Sequence, residues 1–489
     1  MNYSDKLDVQ KRTIICFIYL GLSLLCLPSA YTTPLEVLSS HTDTNNKIKA
    51  ILLLAQLKKD LLLPKVEKLI EILKNESDER VTTDLITLLD KIRNMANEEE
   101  KKRIDSHLKK AFYKDKKELP NICKELCFLN KDVNSWSPYS QAPEFSYTAK
   151  NWEFALQSLG ALFIAQSASF CNEAKELLTQ ITQELSQKNS TETASSCPNP
   201  PSPFIHLHTV ATDVLSMAGF ATDSPAVYGK PFYALLLKEI LEKEPLTPLQ
   251  EKELKTSLEK VQTAISEDIS ATPTLKEWSL GKSSIMNTYA LAIMDLVHPS
   301  IEGREYLKKS FDASNPLRVS YRPEGLPDTE VGSTGRAIPT HLALYRHEEN
   351  TSLKKQYREN LKNALTKFKG ELPFLILHYL RNLTHIGVHG VAPFYLPSVF
   401  PYATAATEML LQEETTKEER EELLAMRDEF QQALLSLTDK DGTFITPGKE
   451  TYPSAKGYTS PLFGLAMIPL AKECLSKDMD RSVLNGILK

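Results

Sequence analysis

The stretch THIGVHGVAPFYLPSVFPYATAATEML, residues 384–410, carries two histidines, three prolines and two glycines, then turns into a run of small and apolar residues. Its two halves read differently. HGVAPFYLPSVFP is an approach loop in which Pro393, Pro397 and Pro401 hold off a helix start, because proline removes a backbone donor and disfavours helical geometry in the residue before it. YATAATEML, from Tyr402, is a helix whose small residues let neighbouring helices come close. A helix that is small and apolar on every side is a buried one. His385 and His389 are four apart, as in a zinc-binding helix, yet Gly387 and Gly390 place them in a loop, where that spacing does not turn both imidazoles to one face. No Glu follows His385 to serve as a base, so no metal is expected here.

The same rhythm recurs along the chain. NWEFALQSLGALF (151–163), HTVATDVLSMAGF (208–220), NTYALAIMDLV (287–297), GRAIPTHLALY (335–345) and YTSPLFGLAMIPL (458–470) are equally rich in Ala, Thr, Ser and Leu. With the helix at 402–411, successive starts lie 57, 79, 48, 67 and 56 residues apart, which is room for two helices and their loops. The gaps hold charged amphipathic helices such as YRENLKNALTKF and REELLAMRDEFQQALLSL. Buried helices alternating with half-exposed ones predict inner and outer layers, and six such hairpins closed into a ring form an (α/α)6 toroid. An open solenoid is the alternative. No alternating run is long enough to nucleate a sheet, so the expected class is all-α.

Ahead of the repeats, IKAILLLAQL, VEKLIEIL and LITLLDKI space apolar residues three and four apart, with breaks at Pro64 and NESDE. They predict an N-terminal helical bundle over 46–130, a turn-rich boundary at 130–148 and a toroid over 150–475. Residues 1–30 differ again: Lys6, Lys11 and Arg12 precede the apolar run TIICFIYLGLSLLCL (13–27), then Pro28 and the small residues to Ala30. That layout predicts a secretory signal and export to a periplasmic or extracellular space, the alternative being an uncleaved N-terminal membrane anchor. Five cysteines remain beyond it, Cys123, Cys127, Cys171, Cys197 and Cys474. Cys171 and Cys197 could close a loop, although spacing does not fix connectivity. A net charge of −5 gives no electrostatic footprint for nucleic acid.

GSTGRAIPTHLALYR (332–346), PFYLPSVFPYATAATEML (393–410) and LTDKDGTFITP followed by YTSPLFGLAMIPL (437–470) resemble the repeats of bacterial prenyltransferase and squalene-cyclase-like toroids. There, a Gly-rich or aromatic run precedes a Tyr-Ala-rich inner helix, and a turn like Asp441-Gly442-Thr443-Phe444 precedes the next. The resemblance implies the toroid. It does not extend to the family's chemistry. Cyclisation needs clustered carboxylates of the D-x-D-D kind, whereas LTDKDGT has Gly after its second Asp and reads as a tight turn. Protein prenyltransferases need Asp, Cys and His on zinc, and Cys474 has no matching D-x-C spacing. The pairs His206 with His208 and His341 with His347 lack further ligands, so neither metal nor cofactor is expected.

Residues at the starts of the inner helices converge on a cavity mouth in such a ring. Arg336, His389, Tyr395 and Tyr402 are the candidate catalytic residues, and Trp152, His208, Tyr289 and Tyr458 the candidate ligand-binding ones. An Arg could neutralise a substrate carboxylate while a Tyr or His moves a proton, as a polysaccharide lyase requires. Asp213, Asp295 and Glu408 could serve a glycoside hydrolase, though basic residues of outer helices would account for them equally. Because each catalytic signature is incomplete, the leading expectation is an exported toroid protein, non-catalytic or of unassigned activity, that binds a small molecule, a glycan or an envelope partner through its cavity or rim. A carbohydrate-active enzyme is the alternative, and a terpenoid cyclase or prenyltransferase-like protein the third.

Overall fold

The computed structural model describes residues 33–40, 42–131, 146–186, 204, 207–216, 224–271, 288–321, 326–381, 383, 387–390, 392–413, 415–439, 444–445 and 456–474. The expected signal at 1–30 therefore lies outside the described residues. Contacts divide the chain into two units, Met1–Ala111 and Phe112–Lys489.

In the first unit, side-chain caps set most helix starts. Thr33 and Glu36 form a reciprocal capping box on α1 (Pro34–Ser39), Asp43 caps α2 (Thr44–Leu54), and Asp78 accepts from the first amides of α5 (Glu79–Met95). Between them lie α3 (Lys59–Leu62) and α4 (Val66–Asn75), and α6 (Glu98–Phe112) follows. Each cap satisfies amides that a helix leaves orphaned, at about 1 kcal/mol apiece. Leu69 and Leu73 of α4 and Leu85, Leu89 and Ile92 of α5 form the buried stripe. Arg93 holds Asp105 at 3.0 Å, tying α5 to α6.

The second unit begins earlier than residue 150. Helix α7 (Ile122–Lys131) belongs to it, because Leu126 and Leu129 join its core and Cys127 is bonded to Cys171 across 44 residues. Cys171 therefore pairs with Cys127, not with Cys197. Cys123 is also disulfide-bonded.

Six helices of this unit touch in a closed series: α8 (Ser146–Ser167), α11 (Ser224–Lys243), α13 (Thr288–Val297), α15 (Thr334–His347), α17 (Leu396–Gln412) and α19 (Lys456–Met467), which returns to α8. Their composition explains the placement. All ten residues of α13 are buried, as are Thr334–Tyr345 of α15, so these helices have no face to give to water. Gly464 of α19 shows how close they come, since a Cβ there would lie 2.4 Å from the Phe163 ring of α8. Amphipathic helices back them: α9 (Asn172–Leu185) packs on α8, α12 (Pro248–Ala271) on α11, α14 (Ile301–Lys309) on α13 and α15, α16 (Thr351–Leu380) on α15 and α17, and α18 (Lys417–Ser436) on α17 and α19. The fold is all-α. A short antiparallel hairpin, β1 (Phe311–Asp312) with β2 (Asn315–Val319), precedes α15.

Two expectations change. The segment expected to be the second inner helix, 208–220, instead supplies α10 (Leu207–Ser216), which exposes Thr209 and Thr212 and packs on α8, α9 and α12. Its place in the closed series goes to α11, where residues 229–237 are buried without a break. Helix α17 also starts six residues earlier than expected, at Leu396. Pro397 sits in the first turn, where its missing N–H costs nothing, and only Pro401 breaks the helical ladder. The bridge between Thr438 and Phe444 closes the LTDKDGTF segment as a turn would, although residues 440–443 lie outside the described ones. No described helix is long and apolar enough to cross a membrane.

Candidate functional site

Strand β2 and the N-terminal ends of α13, α15 and α17 build the site. The end of the strand fixes two helix starts. The Tyr321 carbonyl accepts from the Thr288 amide at 3.0 Å, opening α13. Ser333, just before α15, spends its hydroxyl on Val319, accepting from its amide and donating to its carbonyl, both at 2.9 Å. Gly335 then lets the first turn of α15 lie against Tyr395, since a Cβ there would be 2.6 Å from the tyrosine Cβ.

Arg336 follows in that first turn. Its side chain is 0% exposed, while that of its partner Asp328 is 40% exposed. Nη2 donates to Asp328 Oδ2 at 2.9 Å and to the Val319 carbonyl at 3.2 Å, and the guanidinium stands 5.6 Å from the centre of the Tyr321 ring. Nε and Nη1 find no acceptor among the described residues. A buried donor left unanswered costs about 1–3 kcal/mol, so two such nitrogens on one guanidinium are costly to the fold.

Three of the expected tyrosines gather beside it. The Tyr289 ring lies 5.1 Å from that of Tyr395 and 6.2 Å from that of Tyr402, centre to centre, and all three are buried. The Tyr289 hydroxyl donates to the Ser398 carbonyl at 2.9 Å, which pins α13 to α17. Arg336, Tyr289, Tyr395 and Tyr402 thus belong to one region.

His389 belongs to another. It sits in a 3₁₀ turn, Gly387–His389, stacked 5.6 Å above Phe374 of α16, with the His378 ring 4.9 Å away. Its Nε2 lies 3.3 Å from Glu371 Oε2, and Lys367 holds the other carboxylate oxygen at 3.2 Å. His385 lies outside the described residues. His208 is half-buried on α10, and its amide donates to Glu184 Oε1 at 3.0 Å. Burial pushes that Glu184 carboxyl up to about 7. Trp152 and Tyr458 fall on α8 and α19, but their side chains are not among those described, and His206 is not described at all. His341 gives Nε2 to the Pro316 carbonyl at 2.8 Å, and burial takes its pKa down to about 4.

The inner carboxylates do not act as a pair. Glu408 faces Arg427 of the outer helix α18 at 3.0 Å. Asp295 accepts the Ser300 amide at 3.0 Å, and burial lifts its carboxyl to about 7. Asp213 lies on α10, outside the closed series. The arrangement offers a buried cation with spare donors, an aromatic ring beside it and a carboxylate at its edge, groups that can hold a polar ligand. Position at the start of an inner helix pointed to Arg336. Nothing in the sequence pointed to Asp328, Val319 or Tyr321, which reach it from a hairpin and loop without periodicity.

Comparisons of the chain with protein-family models, with curated proteins and with solved structures give no match.

Proposed function

We propose that Phe112–Lys489 is an exported α/α toroid that binds a polar ligand at the N-terminal ends of its inner helices and catalyses no reaction. The fully buried Arg336, with Nε and Nη1 unanswered, carries this reading. The closed series of six buried helices supports the ring, and the Cys127–Cys171 bond suits an oxidising compartment beyond the cytoplasm. Residues 1–30 supply the export signal in this reading. The ligand is a small molecule or a glycan carrying an acceptor oxygen for the free guanidinium donors. A carbohydrate-active enzyme has less support, because the Tyr289 hydroxyl is spent on a backbone carbonyl and the inner carboxylates sit on separate helices with separate roles.

Native mass spectrometry of the full chain, purified under non-denaturing conditions, tests the proposal. The expected spectrum shows a mature N-terminus near Tyr31 and an adduct that denaturation releases and Arg336→Met abolishes. An intact N-terminus would refute export. A ligand-free protein that also shows no difference between wild type and Arg336→Met across a panel of neutral and acidic sugars would refute binding at Arg336.

A further inference from the structure

The opposite ends of α13 and α15 carry a different cluster, roughly 15 Å along α15 from Arg336 at 1.5 Å per residue. Lys238 of α11 donates to the Val297 carbonyl at 2.8 Å, on the last residue of α13. His347, the last residue of α15, lies near the preceding carbonyl, of Leu296. Arg304 of α14 donates through Nη1 to the His347 carbonyl at 2.6 Å. Arg346 adjoins His347, and His298 lies just past α13 with Nε2 at 2.9 Å from the Ser266 hydroxyl of α12. Five basic side chains thus meet where four helices end or begin. Among the described residues, Glu242 acts on Lys238 and Asp295 on Arg304, while Glu348, next to His347 in sequence, pairs with Lys308 at 4.0 Å.

Helix C-termini attract cations, which accounts for Lys238 and Arg304 on their carbonyls. It does not account for Arg346 and His347, whose Nη1 and Nε2 are enclosed and have no acceptor among the described residues. We infer that Lys238, His298, Arg304, Arg346 and His347 form a binding site for a tetrahedral dianion, a phosphate or sulfate group. The excess of positive charge supports this. Burial, then Arg346, Arg304 and Lys238, hold His347 down to about 4. Burial and Lys238 lower His298, and burial brings Arg346 down to about 10. A dianion would relieve that repulsion and raise both histidines, so binding takes up protons. Protonation of Asp295 on acidification makes the site more positive and acts in the same direction. The inference is independent of the ligand reading of Arg336.

Titration calorimetry of the full chain at low ionic strength tests it, with sodium sulfate as the probe because sulfate stays doubly charged across the range. Saturable binding is expected, with proton uptake measured by repeating the titration in buffers of different ionisation enthalpy. If the anion lifts His347 to about 6, affinity rises about tenfold between about pH 7.5 and pH 5. Arg346→Gln should weaken binding at least tenfold, by loss of a charge-assisted contact, and His347→Gln should flatten the pH dependence. Glucose 6-phosphate forms the second arm. Tighter binding than sulfate assigns the site to a phosphorylated or sulfated sugar, and equal binding assigns it to the free ion; both support a dianion site. Absence of saturable binding, or binding unchanged in folded Arg346→Gln and His347→Gln, overturns the inference. Should either variant not fold, sulfate binding to wild type without proton uptake overturns it equally.

Discussion

Lys230→Met is the perturbation whose cost the structure defines most sharply. Lys230 on α11 lies 2.6 Å from Asp268 Oδ2 on α12, with side-chain exposures of 1% and 6%. Burial raises the Asp268 carboxyl and Lys230 opposes that rise. Taking the lysine away removes the charge that opposes the burial of this carboxylate, and breaking such a pair from one side costs about 3–5 kcal/mol. Replacing both partners, as Lys230→Met with Asp268→Leu, should be close to neutral, because the desolvation of two charges is removed with their attraction. The sign of the pH dependence follows. In the single variant the Asp268 pKa is raised further above its unfolded value, so its contribution is intact below about pH 4 and lost as pH rises. The cost should therefore shrink between about pH 7.5 and pH 5. Urea unfolding read by tryptophan fluorescence isolates the right unit, since Trp136, Trp152 and Trp278 are the chain's three tryptophans and all belong to Phe112–Lys489. A single-variant cost below about 1 kcal/mol, or a double variant as damaged as the single one, would show that the pair is not the buried ion pair argued here.

Three further outcomes follow from neighbouring features. Replacing Cys127 and Cys171 together by serine releases a loop of 44 residues; chain entropy puts the loss at about 4 kcal/mol, measurable as a lower urea midpoint for the tryptophan signal. Gly335→Ala places a methyl group against the Cβ of Tyr395, beside the helix backbone; overpacking should cost about 1–3 kcal/mol in the same assay and lower the melting temperature. Asp295→Asn keeps an acceptor for the Ser300 amide and removes a carboxyl that burial lifts to about 7. The wild-type contribution is complete below the unfolded value and drains away up to about 7, so the variant should gain about 1 kcal/mol per pH unit over wild type across about pH 5–7, read by unfolding at each pH.

Periodicity made the helices legible because burial leaves a mark on every turn. Five of the six small-residue segments, at 151–163, 287–297, 335–345, 402–411 and 458–470, fall on members of the closed series. The sixth misled for a physical reason. HTVATDVLSM has the same Ala and Thr content, but its threonines at 209 and 212 face solvent, and small polar residues suit either environment. The helix that takes its place, α11, carries Lys230, Lys238 and Glu239 among its buried and half-buried residues. Those charges make the segment look half-exposed, whereas Asp268 and the end of α13 receive two of them. Composition registers a charge but not its partner. Partners here come from 38 and 59 residues away in sequence, which no local pattern reports.

The same asymmetry governs the two candidate sites. Both depend on cations that an apolar helix carries at its ends: Arg336 in the first turn of α15, Arg346 and His347 in the last. At the first turn the helix dipole opposes the guanidinium, so Arg336 sits where the backbone disfavours it. Asp328, the Val319 carbonyl and the Tyr321 ring offset that disfavour on one side only, leaving Nε and Nη1 unanswered. At the last turn the dipole favours positive charge, but it serves few groups, and five bases crowd two helix ends. A protein selected for stability alone has cheap remedies: methionine for Arg336, or a carboxylate set among the five bases. Methionine would empty the first site of its unmet donors, and the carboxylate would quench the second. If both sites bind as proposed, Arg336→Met therefore keeps or gains stability while losing its ligand, and Arg346→Gln loses anion binding without unfolding.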